Sequence, residues 1–210
     1  MINKKQAIKI IAESAMLYKE NFLNKNLLII SQGKDEIYTY EMRFSKTNFL
    51  HLTGVKLLEI NGYNNAGKFF DDCINHRLSE RSFDINPDGT TELKLKVLTM
   101  LLSKNMKASI IGNYSEYNPK LYTEKLAGGI RGCLGFVKDK NGYYVPNTVL
   151  NVDIRDKISN NQRILVMAKK LISDEKYSEI VYTAKGVELQ EICTASQFEY
   201  LKQIKRDLFG

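Results

Sequence analysis

Residues 48–56 read Asn48-Phe49-Leu50-His51-Leu52-Thr53-Gly54-Val55-Lys56. The run is apolar and follows a predicted hairpin, so as a strand it extends a sheet. Side chains at i and i+2 of a strand share a face. His51 and Thr53 then point one way, and Asn48, Leu50 and Leu52 the other. An imidazole, a hydroxyl and the nearby Lys56 ammonium can move protons and charge around a phosphate. The plainer reading is a hydrogen-bonded core histidine, the commoner fate of a lone imidazole in an apolar segment.

Working outward, Ile8, Ile11, Ala15, Tyr18 and Phe22 recur at helical spacing, which predicts a helix over 2–23. Strands follow at 27–31 and 36–44, joined by the turn Gln32-Gly33-Lys34-Asp35. Beyond the opening run, Asn64 or Asn65 caps a helix reaching Arg77, and Ser79 caps a brief turn. Asn86-Pro87-Asp88-Gly89 marks a turn, and Thr90 or Thr91 opens a leucine-rich helix to Leu102. The second half reads as strands at 109–114, 120–126, 131–138, 143–149, 163–171 and 179–185, with a helical turn at 153–158. A charged amphipathic helix at 195–209 ends the chain. Helices first and strands second is the α+β pattern. We read one domain over 1–190 and a C-terminal helical extension over 191–210.

The chain has 210 residues, of which 43% are hydrophobic, enough for a core of ordinary size. No apolar run approaches a membrane span, and Met1-Ile2-Asn3-Lys4-Lys5 leads into no signal-like apolar segment, so a cytoplasmic location is expected. Cys73, Cys133 and Cys193 are too few and too widely spaced for a disulfide framework or a zinc pattern. The net charge of +7 suits a nucleic-acid or phosphate-bearing partner. A lysine-rich composition without any ligand gives the same charge.

Three further places carry candidate chemistry. Leu121-Tyr122-Thr123-Glu124-Lys125-Leu126, read as a strand, puts Thr123 and Lys125 on one face and Tyr122 and Glu124 on the other. Gly128-Gly129 then allows close approach of backbone or phosphate, or simply a tight turn. In Tyr143-Tyr144-Val145-Pro146-Asn147-Thr148-Val149 the proline implies an edge or a bulge, and bulges re-aim side chains such as Asn147 and Thr148. His76 beside Arg77, at a helix end, reads as structural. Arg43, Lys56, Lys94, Lys125 and Arg131 are scattered basic residues whose convergence the sequence leaves open.

The segments NFLHLTGVK (48–56), DGTTELK (88–94), LYTEKLAGGIRGCLGF (121–136), YYVPNTVL (143–150), DIRD (153–156) and RILVMAKK (163–170) resemble the phage-associated branch of the Barnase–EndoU–colicin–RelE-like nucleases, and within it the fourth phage type. The likeness spans roughly residues 5–190. It implies N-terminal helices packed on an antiparallel sheet of about four strands. It also implies cleavage of RNA through its 2′-hydroxyl to a 2′,3′-cyclic phosphate, with no metal and no cofactor. From residue chemistry and position in these segments, His51 is expected to act as general acid or base, and Thr53 to position it or to hydrogen-bond a phosphate oxygen. Lys56, Lys125 and Arg131 stabilise charge at the phosphorane. Tyr122 stacks a base or shares proton transfer, and Arg43, Lys94, Asn147 and Thr148 help to hold substrate. The expected protein is a ribonuclease of a phage or mobile element, acting as a toxin on tRNA or mRNA, with an antitoxin or host protein as a further partner class. The alternative is a non-catalytic module of the same fold that binds nucleic acid or a host protein. A third reading is a transferase that grips a nucleotide.

Overall fold

The structure is a computed structural model that describes residues 2–58, 65–115, 121–192 and 199–201. Helix α1 (Lys4–Asn21) starts at Asn3, whose side chain accepts from the Gln6 amide at 2.9 Å. The hairpin β1 (Lys25–Gln32) and β2 (Ile37–Arg43) follows, as its alternating apolar pattern predicts. Then come α2 (Lys46–Thr53), a short strand β3 (Val55–Leu57), α3 (Ala66–Ile74), its partner strand β4 (Phe83–Ile85) and α4 (Thr90–Leu101). Asn65 caps α3 by accepting from the Gly67 amide at 2.8 Å. Strands β5 (Ile110–Tyr114), β6 (Lys125–Gly129), β7 (Gly132–Lys138) and β8 (Tyr144–Leu150) lead through a 3-10 turn at Ile154–Asp156 to the long β9 (Ile158–Leu171) and to β10 (Glu179–Thr183). A four-residue helix, α5 (Leu189–Ile192), follows. The expected helix over 195–209 lies outside the described residues apart from 199–201.

The large sheet runs β1-β2-β8-β7-β6-β5-β9-β10, and β1 also pairs with β9. That extra pairing closes seven strands into a ring, with β10 added on β9. Every junction is antiparallel except β2–β8, a single parallel bridge between Met42 and Tyr144. The expected antiparallel sheet of about four strands is therefore corrected to a mixed sheet of eight. A ring of seven strands cannot alternate direction all the way round, so one junction has to be parallel, and it falls at β2–β8.

One apolar cluster joins the helices to the sheet. It takes Ile11 and Tyr18 from α1, Phe49 and Leu52 from α2, Phe69 and Phe70 from α3, and Leu98 and Leu101 from α4, with Leu27, Met42, Phe136 and Met167 from the strands. The Tyr18 ring lies 5.3 Å from Phe49 and 5.6 Å from Phe70 in edge contacts. Such pairs add about 1 kcal/mol each beyond their area.

This cluster corrects the reading of residues 48–56. Phe49, Leu52 and Thr53 are buried, at helical spacing, while His51 between them is exposed. A strand would have sent Phe49 and His51 to the same side. The start is fixed by Ser45, whose amide donates to the Asn48 side chain at 2.9 Å, and the end by Gly54 at φ 69°. Asn86 and Thr91 donate side-chain hydrogen bonds to the Gly54 carbonyl, at 2.7 and 2.5 Å, and so clasp this helix end to the start of α4.

On β9, Lys169 is 1% exposed, with its ammonium 4.3 Å from the Phe22 ring centroid and 2.7 Å from the Lys104 carbonyl. Burial pulls its pKa down to about 7, and Lys25 and Lys104 add to that against the opposing pull of Glu179. A lysine with a depressed native pKa binds fewer protons folded than unfolded, so its contribution to stability rises with pH between the two values. Below pH 7 both states are charged and the burial penalty is felt in full. Denaturant midpoints should therefore rise by on the order of 2 kcal/mol between about pH 6 and about pH 9. Lys169→Met should flatten that rise, and an unchanged pH slope in the variant would refute this account.

Candidate active site

Six of the seven strands of the ring change character along the face that bears the core. On β1 the order is Leu27, Ile29, Ser31; on β2, Phe44 just beyond the strand, then Met42, Tyr40, Tyr38; on β5, Ile111, Asn113. On β6 it is Ala127, Lys125; on β7, Leu134, Phe136, Lys138; on β9, Met167, Ile164, Gln162. Apolar residues meet the helices in the core cluster, and polar ones gather at the other end of the same strands. The result is a polar mouth built from strands distant in sequence.

Hydrogen bonds and ring contacts knit this mouth together. The Gln162 carbonyl oxygen accepts from the Ser31 hydroxyl at 2.8 Å and from the Tyr40 hydroxyl at 2.9 Å. Gln162 is fully buried, and its amide nitrogen has no partner among the described residues. A buried donor left unpaired costs about 1–3 kcal/mol, so a glutamine held here is not explained by stability. The Lys125 ammonium donates to the Asn113 side chain, directly across the β5–β6 ladder, and lies 4.9 Å from the Tyr40 ring centroid. The Tyr40 ring meets Tyr144 at 5.7 Å and 72°, and the Lys138 ammonium stands 5.6 Å from the Tyr144 ring.

Electrostatics follow from this half-buried setting. Burial lowers the Lys125 pKa, Lys138 lowers it further, and Glu124 opposes both. Burial raises Tyr40 and Tyr144, keeping both phenols protonated, with the charge of Glu124 adding at Tyr144. The mouth thus offers the ammonium groups of Lys125 and Lys138, the Tyr144 phenol and the spare amide donor of Gln162, while the Tyr40 hydroxyl is taken by Gln162. That is a set suited to an anionic phosphate.

The residues singled out from sequence fall into separate places. Lys125 stands in the mouth. His51 is exposed on the last turn of α2, and its carbonyl accepts from the Lys94 ammonium at 2.8 Å. Burial pulls Lys94 down to about 8. Thr53 is buried, and its hydroxyl donates to the Leu50 carbonyl at 2.7 Å, so it does not share a face with His51. Lys56 is exposed on β3, opposite Asp84. Arg131 is exposed in the two-residue turn between β6 and β7. Arg43 stacks its guanidinium 3.8 Å from the Tyr143 ring and donates to Asn26 at 3.2 Å. Among the described residues, no hydrogen bond, ion pair or ring contact joins His51 to Lys125.

Residues 121–124 are not part of a strand, because β6 begins only at Lys125. Tyr122 is 86% exposed, and its carbonyl accepts from the Asn147 side-chain amide. Thr123 donates to the Asn147 oxygen at 3.2 Å. Asn147 is the extra residue of a bulge, since Gly135 pairs with Thr148 and Phe136 with Pro146. The proline signal for a bulge was sound, and the bulge holds the approach to β6 in place of a ladder. Thr148 is buried, and its methyl would meet any side chain placed at Gly135.

Tyr40, Asn113, Gln162 and Ser31 escaped the sequence reading. The available signal was the polar residue at one end of each apolar strand, which carries weight only once the strands are known to adjoin. Among the described residues, no three His, Cys, Asp or Glu side chains are grouped to hold a metal, and no helix is long and apolar enough to cross a membrane.

The family model described as phage-Barnase-EndoU-ColicinE5/D-RelE like nuclease4 matches residues 10–186. The chain belongs to this family. The matched span starts inside α1 and ends after β10, so it contains every strand of the ring and every residue of the mouth. By its description the family is one of phage-associated nuclease-like proteins. Comparison with curated proteins and with solved structures gives no match.

Proposed function

We propose that this protein is a ribonuclease that cleaves RNA through its 2′-hydroxyl and leaves a 2′,3′-cyclic phosphate, with the scissile phosphate in the polar mouth. The observation that carries the reading is the Lys125 ammonium set beside Tyr40, next to a buried glutamine with an unused donor. In such cleavage the 2′-oxygen forms a bond to phosphorus and the bond from phosphorus to the 5′-oxygen breaks. A proton leaves the 2′-oxygen and one arrives on the 5′-oxygen. The phosphorane between them gathers negative charge. Lys125 neutralises it, and Tyr144, held as a neutral phenol, donates a hydrogen bond to one of its oxygens, while Tyr40 keeps its hydroxyl on Gln162. Phosphate bound this way needs no metal ion to carry the charge. Within this reading the enzyme is a toxin of a phage or mobile element with tRNA or mRNA as its target, and induced expression arrests growth.

A second reading keeps proton transfer at His51. It is favoured by the exposure of that ring and by Lys94, an amine of lowered pKa, bonded to the same residue. One experiment separates the two. Purified protein and its His51→Ala variant are incubated with total bacterial RNA in EDTA, and the new ends are mapped. Discrete fragments with cyclic phosphate ends from both proteins support the mouth. Loss of all fragments in a folded His51→Ala protein moves the chemistry to α2. Intact RNA with both proteins moves the weight to a binding module of this fold.

A further inference from the structure

The ring is weakest where β2 meets β8, closed by one parallel bridge. A groove of about 760 Å³ lies along that seam. Tyr40 and Tyr144 line it and also belong to the mouth, so the two adjoin through shared residues. On the far side the groove is lined by Tyr177 and Tyr200. Three lysines rim it, each set near one of these rings. Lys138 lies 5.6 Å from the Tyr144 centroid, Lys170 5.0 Å from Tyr177, and Lys176 5.7 Å from Tyr200. Glu41 and Glu175 share the groove, and Glu41 accepts a hydrogen bond from the Tyr177 hydroxyl.

The half-buried rings of Tyr144 and Tyr200, with the three ammonium groups, form a surface for single-stranded nucleic acid, whereas Tyr40 and Tyr177 are buried and serve as its wall. Unpaired bases stack on aromatic faces, while the cations follow the backbone. A duplex keeps its bases stacked on one another and cannot use such rings.

We infer that this seam groove holds the nucleotides flanking the scissile phosphate, as a track for single-stranded RNA that leads into the mouth. The inference rests on the proposed RNA cleavage for its direction, yet binding along the track is measurable without any cleavage. Glu41 and Glu175 break the positive rim, and Glu41 is engaged by the Tyr177 hydroxyl.

The test uses a fluorescent single-stranded 2′-O-methyl oligoribonucleotide, whose blocked 2′-oxygen cannot attack. Anisotropy titrations compare the full chain with a Lys138→Ala/Lys176→Ala variant and with Tyr200→Leu. A control variant, Lys5→Ala/Lys19→Ala, removes the same charge from exposed positions on α1. The lysine pair in the groove should weaken binding about tenfold and flatten the log-affinity against log-salt slope by roughly 1.4, about 0.7 per lost phosphate contact. Tyr200→Leu should weaken binding with the salt slope unchanged, and a duplex of the same sequence should bind the native protein less well. Equal losses in the groove and α1 variants would overturn the track, as would tight binding that none of the groove variants alters. Absent binding to the blocked strand would also overturn it, whatever the cleavage assay shows. Conversely, binding with no cleavage of natural RNA leaves the track standing and removes the ribonuclease reading.

Discussion

Lys125→Met is expected to lower cleavage by two to three orders of magnitude, about 2.7–4 kcal/mol of transition-state stabilisation, with the fold retained. Methionine keeps most of the length and apolar packing of the lysine stem and removes only the charge. Asn113 loses its donor, but it is only partly buried and water can replace the bond. The pH profile gives a second, independent reading. In the proposed mechanism the charged form is the one that stabilises the phosphorane, and burial has lowered the pKa of this group. Activity should therefore fall as pH rises through a value below the roughly 10.4 of an ordinary lysine. Lys125→Arg carries a charge that no accessible pH removes. It should recover part of the rate and lose that alkaline limb. Rates of kcat/KM on one defined RNA, measured against pH for the three proteins, decide the matter. An active Lys125→Met enzyme, or an alkaline limb that survives in Lys125→Arg, would rule Lys125 out of the chemistry.

How a residue such as Lys125 becomes visible depends on the kind of order involved. Helix α1, the β1–β2 hairpin and the starts of α3 and α4 follow from local signals, namely caps, turns and periodic apolar residues, and all were legible. Residues 48–56 carry signals for both periods, because Leu50 and Leu52 alternate while Phe49, Leu52 and Thr53 fall at helical spacing. The ring contacts of Phe49 with Tyr18 and Phe70 decide between them, and neither partner is near in sequence. Ser45 and Gly54 were the local clues that a helix lay between them. The mouth is less accessible still. Ser31 and Tyr40 reach Gln162 across separations of 131 and 122 residues. Their meeting depends on the closure of β1 onto β9, which no local pattern announces. Lys125 was legible as a basic residue on a strand, but its neighbours were not, since the stretch before it is held by the β8 bulge. His51 stood out because a strand would set it on one face with Thr53, and the helix that forms instead buries Thr53 and leaves His51 exposed.

The second large effect concerns the strand that carries Lys125. Gly128→Ala is expected to cost about 3 kcal/mol or more, a large share of the stability of an ordinary domain. A methyl group there would lie 2.3 Å from the Gly132 carbonyl oxygen and 2.6 Å from the Cys133 Cα. Those are backbone atoms of the paired strand and cannot swing aside. Gly128 is also held from the other side, where its carbonyl accepts from the Ser109 amide at 2.9 Å. The only relief is to spread β6 from β7, which breaks ladder bonds and shifts Lys125 relative to Tyr40. Gly129, the next residue, provides the contrast. A methyl group on it meets nothing closer than the Lys107 carbonyl at 3.5 Å, an ordinary contact. Gly129→Ala should therefore leave the urea midpoint within about 0.5 kcal/mol of the native protein. If the two variants unfold together, close approach of β6 and β7 is not what demands a glycine at 128. If only Gly128→Ala falls, and activity falls with it at temperatures where it is still folded, the spacing of this hairpin is what aims Lys125 into the mouth.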